Sequence, residues 1–110
     1  MFKPQLNRIV LIGQVTEKPI LRYVPTGAPV CTFMITVFRE KLDTTADENQ
    51  VDVFPIVAWK DQAIYCHRVL KKGDWVFCEG SMQLRSFGES TGQKRTEAEV
   101  LLKDIHCLHE

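Results

Sequence analysis

The 110-residue sequence has no surplus of charge: 14 Lys+Arg stand against 14 Asp+Glu. That balance argues against a strongly basic nucleic-acid binder, whose affinity comes mostly from neutralising phosphates. Charge is nonetheless segregated. Acids gather at Asp43, Asp47, Glu48, Asp52 and at Glu97, Glu99; bases gather at Arg39, Lys41, at Arg68, Lys71, Lys72 and at Lys94, Arg95. No apolar run approaches the roughly 20 residues a membrane span needs. The opening Met-Phe-Lys-Pro-Gln-Leu-Asn has neither an apolar signal stretch nor a cleavage site, so no membrane association or secretion is expected. Cys31, Cys66, Cys78 and Cys107 form no CxxC pair and sit among apolar neighbours, which reads as buried reduced thiols in a cytoplasmic protein. GxxxxGK[ST] and GxGxxG are both missing, which removes the nucleotide-triphosphate machines. Three histidines and no activated Ser or Cys leave no catalytic triad, so no enzyme is expected. His106-Cys107-Leu108-His109 resembles a metal corner, but alternate strand residues face opposite ways and no second ligand pair follows at finger spacing. It reads as a frayed C-terminal strand, with no metal or cofactor.

What is present is a succession of strands. The length suits one domain over residues 1–110, and 45% hydrophobic with 25% charged residues is an ordinary globular composition. Asn7–Gly13 reads as a strand with two apolar faces, Ile9 and Leu11 on one and Val10 and Ile12 on the other. A small antiparallel barrel shows one face to solvent, so the second calls for cover from another copy of the chain. Gly13 is expected at a bulge or bend. Ile20–Val24 is a short strand. Val30–Phe38 alternates, with Phe33, Ile35 and Val37 inward. A polar, acidic loop, expected to be mobile, covers Leu42–Gln50. Along Val51–Trp59, Phe54, Ile56 and Ala58 share one face and Val53, Pro55, Val57 and Trp59 the other. Asp61 is the expected N-cap of a helix to Lys72, with Gly73 at its C′ position. Trp75–Phe87 and Arg95–His109 are the last strands, joined by a hairpin at Gly88–Gln93; Ala98, Val100 and Leu102 point inward, Glu97 and Glu99 outward. Five main strands, with the helix between the third and fourth, is the order of an all-β oligonucleotide-binding (OB) barrel.

Aromatic and basic residues interleave: Trp59 with Lys60, Arg85 with Phe87, Phe38 with Arg39 and Lys41. Unpaired bases stack on exposed rings for about 1–3 kcal/mol each, whatever the base, and neighbouring cations meet phosphates. The second reading of Trp59 is a ring that seals the barrel beside the helix. Trp75 and Phe77 fit a subunit contact better than a stacking surface.

Asn7-Arg-Ile-Val-Leu-Ile-Gly13, Pro19-Ile-Leu-Arg-Tyr23 with Gly27, Ala58-Trp-Lys-Asp-Gln-Ala63, Leu70-Lys-Lys-Gly73, Val76-Phe-Cys-Glu-Gly80, Leu84-Arg-Ser-Phe87, Gly92-Gln93 and Glu99-Val100 occur in one order and spacing. In that order the chain resembles the DNA-binding domain of bacterial single-stranded-DNA-binding proteins over nearly its whole length. The resemblance implies an OB barrel, dimers through the first strand, usually tetramers, and single-stranded DNA wrapped over aromatic and basic residues. It implies that Trp59 and Phe87 are stacking aromatics and Arg85 a basic contact; apart from the resemblance, the interleaving and the basic clusters add Phe38, Lys41, Lys60 and Arg95 as DNA-binding candidates. Ile9, Val10, Leu11, Ile12, Trp75 and Phe77 are the candidate oligomer contacts. There are departures: Ile20 replaces a usual acid, and Lys41 and Val53 stand where an aromatic is common, which implies weaker binding, a different DNA path, or compensation by Phe38 and Phe54. Members of the family normally continue into a flexible glycine- or proline-rich segment with an acidic tip that recruits partners. This sequence ends at Glu110, which fits a trimmed chain or a tail-less relative such as primosomal replication protein N. The expected function is binding of single-stranded DNA during replication, recombination and repair. The alternative is a dimeric replication-restart adaptor that also contacts primosome proteins.

Overall fold

The computed structural model describes residues 1–40, 50–88 and 91–108, the Phe87 side chain excepted. Among the described residues the elements are β1 (Ile9–Val15), β2 (Ile20–Tyr23), β3 (Pro29–Phe38), β4 (Val51–Trp59), α1 (Asp61–Val69), β5 (Trp75–Gly88) and β6 (Lys94–Leu108). The sheet order is β1-β5-β6-β4-β3-β2, and β1 also pairs with β3, closing β1, β5, β6, β4 and β3 into a ring. β2 hangs on β3 outside that ring, so the helix falls between the third and fourth of the five ring strands, as expected. All pairings are antiparallel except β4 with β6. The architecture is all-β with one short helix.

Period-two patterning puts Cys31, Phe33 and Ile35 of β3, Ile56 and Ala58 of β4, Val76 and Cys78 of β5, and Val100 and Leu102 of β6 in one core. Helix α1 contributes Ala63 and Cys66, and Leu70 follows just beyond its end. Burying such aliphatic side chains stabilises the fold by about 1.5–3 kcal/mol each. Desolvation by burial pushes the thiols up, Cys31 to about 11 and Cys66 and Cys78 to about 12. All four cysteines are free.

Two glycines make the ring possible. A Cβ on Gly13 would stand 2.6 Å from the Thr36 carbonyl oxygen. There β1, still paired with β5 through Gln14 and Trp75, also takes up β3, Gln14 opposite Thr36. Of the bulge or bend expected at Gly13, it is the bend that is found, and the residue is needed there for close approach. The irregularity lies instead between Glu79 and Gly80, where an added Cβ would meet the Leu101 oxygen at 2.1 Å. Beyond it, β5 and β6 continue as a long two-stranded arm. The Asn7 side chain extends the ladder there, donating to the Met82 carbonyl at 2.7 Å and accepting its N–H at 2.9 Å.

Several local expectations give way to longer-range contacts. The helix stops at Val69, short of Lys72: Leu70 is extended with its side chain in the core. The Lys71 N–H then bonds to Asp74 Oδ2 and the Gly73 N–H to the Val15 carbonyl, so Gly73 belongs to a turn docked on β1, away from the helix C′ position. Lys60, in place of Asp61, is the N-cap; it offers only its carbonyl, to Ala63 and Ile64, and makes no side-chain cap. Ala98 is exposed, whereas the Glu99 side chain is only 16% exposed, reversing the expected faces. Both lie where β6 runs from the barrel into the arm, so alternation no longer reports what covers each side. The His106–Leu108 segment is paired along β5 and is not frayed. The expected loop at Leu42–Gln50 lies, but for Gln50, outside the described residues.

Candidate nucleic-acid interface

Register across three strands assembles a row that is scattered in the sequence. Arg22 of β2 pairs with Val30 of β3, and Val30 with Trp59 of β4. Gln83 and Arg85, on the arm, close the other side of a hollow of about 410 Å³ that Arg22, Trp59 and Glu99 also line. The next row, Ile20–Thr32–Val57, leads into a second hollow of about 240 Å³ bordered by Lys18, Met34 and Pro55. Thr32, Val57 and Glu99 line both hollows, so they form one groove across the barrel wall. Its floor is apolar: Val57 sits on the outer face of β4 yet is buried, because β6 closes the barrel beside it at Leu101.

Trp59 is 41% exposed, so it does not seal the interior; it offers a ring at the groove's end. Arg85 Nη1 lies 3.5 Å from Glu99 Oε2. Arg22 was missed by the sequence reading of the site, because nothing local ties it to Trp59; only the register does. It is exposed and has no ion-pair partner among the described residues. Lys60 is exposed one residue beyond Trp59, with φ 60° and ψ −132°, and its N–H donates to the Pro29 carbonyl. Arg95 pairs with Glu97 at 3.2 Å on the exposed arm, opposite Phe87 in register. The Phe87 ring and all of Lys41 lie outside the described residues.

Phe38 is elsewhere. It lies eight residues along β3 from Val30, roughly 26 Å at strand spacing, and stacks on Trp75 with ring centroids 6.0 Å apart. Its neighbour Arg39 is held by Asp52 through two contacts of 2.8 and 3.0 Å, and that hydrogen bonding holds the Asp52 carboxyl below the usual range. Phe54 packs against the core, so it does not replace the missing ring at Val53.

Phe38 and Trp75 belong to a second, apolar surface. The rows Ile12–Phe77–His106 and Gln14–Trp75–Leu108 cross β1, β5 and β6 on the outside of the barrel. Val10, Ile12, Trp75 and Leu108 are exposed on it. Ile9 and Leu11, expected to join this surface, turn the other way and pack against the core, since alternate residues of β1 face opposite sides. His106 tilts against Phe77, and its Nε2 lies 3.0 Å from Asp104 Oδ2. Among the described residues no group of His, Cys, Asp and Glu is arranged to hold a metal, and no helix is long and apolar enough to cross a membrane.

A five-stranded ring plugged by one helix between its third and fourth strands, with a groove over its wall, is an OB fold. Comparison with known sequences narrows this further. The model of the Single-strand binding protein family matches residues 6–108, and the chain belongs to that family. It is 37% identical over 103 residues to a single-stranded DNA-binding protein of Caldanaerobacter subterraneus subsp. tengcongensis, covering 94% of this chain and 68% of that one. It is 36% identical to single-stranded DNA-binding protein A of Bacillus subtilis and 34% identical to single-stranded DNA-binding protein 2 of Listeria innocua, again over 94% of this chain. Of those two relatives it spans 59% and 64% of the length, respectively.

Proposed function

We propose that residues 1–110 act as one OB domain that binds single-stranded DNA, largely without regard to sequence and without catalysing a reaction on it. The observation that carries this is the groove in which Arg22 and Arg85 flank Trp59 over an apolar floor. Bases lie on Trp59 and, further out on the arm, on Phe87; Arg22, Arg85, Lys60 and Arg95 meet phosphates, with Lys41 as a further contact. The relatives' names support the same ligand. They give no support to the replication-restart adaptor. The Val10, Ile12, Trp75 and Phe77 surface joins copies of the chain, and Phe38 serves there rather than on DNA. The setting is the cytoplasm, where single strands exposed in replication, recombination and repair need shielding.

A fluorescence titration with oligo-dT tests the reading. Trp75→Phe leaves Trp59 as the sole reporter, since the chain has 2 Trp. Quenching on saturation, and an affinity that falls with salt at a log–log slope of about −0.7 per phosphate, are expected. Trp59→Ala costs about 1–3 kcal/mol of binding and leaves the oligomer mass unchanged. Absence of quenching in the Trp75→Phe protein would count decisively against the site.

A further inference from the structure

We infer that Glu99 makes the groove discriminate among bases, favouring at one position a base with an exocyclic amine (cytosine, adenine or guanine) over thymine. The inference rests on the single-stranded-DNA reading above and adds a local preference to otherwise indifferent binding. Three observations converge on this residue. It is the acid that lines both hollows of the groove at their junction with Thr32 and Val57. Its side chain is only 16% exposed, although sequence alternation assigns it to solvent. Its contact with Arg85 is long and uses Oε2, which leaves Oε1 without a partner among the described residues.

A carboxylate so placed repels a phosphate, so the strand's backbone is held at the rim and its base edges turn toward the floor. Carboxylate oxygens accept hydrogen bonds and cannot donate them. Cytosine N4, adenine N6 and guanine N2 each bring an amine to such an acceptor, and Arg85 alongside can donate to the adjoining ring nitrogen or carbonyl. Thymine offers one N–H set between two carbonyl oxygens, so an oxygen faces the carboxylate whichever way the ring leans. Stacking on Trp59 is the same for all four and sets no preference.

The test compares oligo-dT and oligo-dC of equal length at one salt concentration, for the wild-type chain and for Glu99→Gln. The ratio Kd(dT)/Kd(dC) is expected to be about fivefold higher in the wild type than in the variant, the low end of what a base-edge contact provides. Differences in self-stacking of the oligonucleotides cancel in that comparison. A second measurement needs no variant: replacing each cytosine by 2-pyrimidinone, which lacks the amine, weakens wild-type binding by a similar factor. An unchanged double ratio, or equal affinity for the pyrimidinone oligomer, overturns the role of Glu99. Failure of the wild-type chain to bind either homopolymer overturns the DNA reading instead.

Discussion

Lys60 occupies a backbone conformation that favours glycine, φ 60° with ψ −132°, and conformations of this kind cost about 1–3 kcal/mol when a side chain is present. Two contacts impose it: the Lys60 N–H is committed to Pro29, and its carbonyl starts the helix. The phosphate contact proposed for Lys60 would separate stability from binding at this position. Lys60→Gly is expected to raise stability by about 1 kcal/mol in urea titration, while the salt slope for oligo-dT becomes shallower by about 0.7. A loss of stability would mean that the side chain supports the fold. None of this was legible in the sequence, where Asp61 has the residue type of an N-cap and Lys60 carries no sign of its dihedral angles. Trp59 stood out as a ring at a strand end beside a lysine, but the same place suited a seal for the barrel, and only its 41% exposure separates the two. Arg22 was not legible, since its place beside Trp59 exists only through strand register.

At the scale of elements, alternation identified the inner face of β3, with Phe33, Ile35 and Val37, but left β1 with two apolar faces, of which only Ile9 and Leu11 meet the core. It failed at Ala98 and Glu99, where β6 passes from barrel to arm and the two sides change roles within a residue or two. The helix end was misjudged for a related reason: Leu70 gains more from filling the barrel than from a further turn of helix. Gly80 is the pivot between barrel and arm. Gly80→Ala would drive a methyl group into the Leu101 carbonyl, 2.1 Å away, and backbone cannot yield as a flexible side chain would. The expected loss is about 2 kcal/mol or more, measured by thermal unfolding. DNA binding should weaken as well, because Gln83 and Arg85 lie just beyond the pivot. A variant as stable as the wild type would show that the arm swings freely.

For the molecule as a whole, the buried thiols set an alkaline limit. Cys66 and Cys78 titrate near 12 and Cys31 near 11 in the folded chain, against an ordinary 9.0. Between those values the unfolded chain gives up protons that the folded one retains. Stability is therefore level below pH 9 and falls as pH rises toward 11–12, by up to about 1.4 kcal/mol per pH unit for each thiol. Urea unfolding at pH 8 and pH 10 measures the drop, and Cys78→Ala should lessen it. The outer apolar surface makes a separate prediction. Ile12→Asp should lower the mass seen by sedimentation while leaving the circular-dichroism spectrum of the barrel intact; an unchanged mass would place subunit contacts elsewhere.

The wall of this barrel is a single strand thick. Leu11 and Ile12 are bonded neighbours, yet one is held by the interior and the other is left to whatever grips the outside. Anything clasping Ile12 thereby braces the layer that keeps Leu11 in place, and letting go loosens both. Heat resistance should then track protein concentration, with dilute samples melting several degrees sooner than concentrated ones.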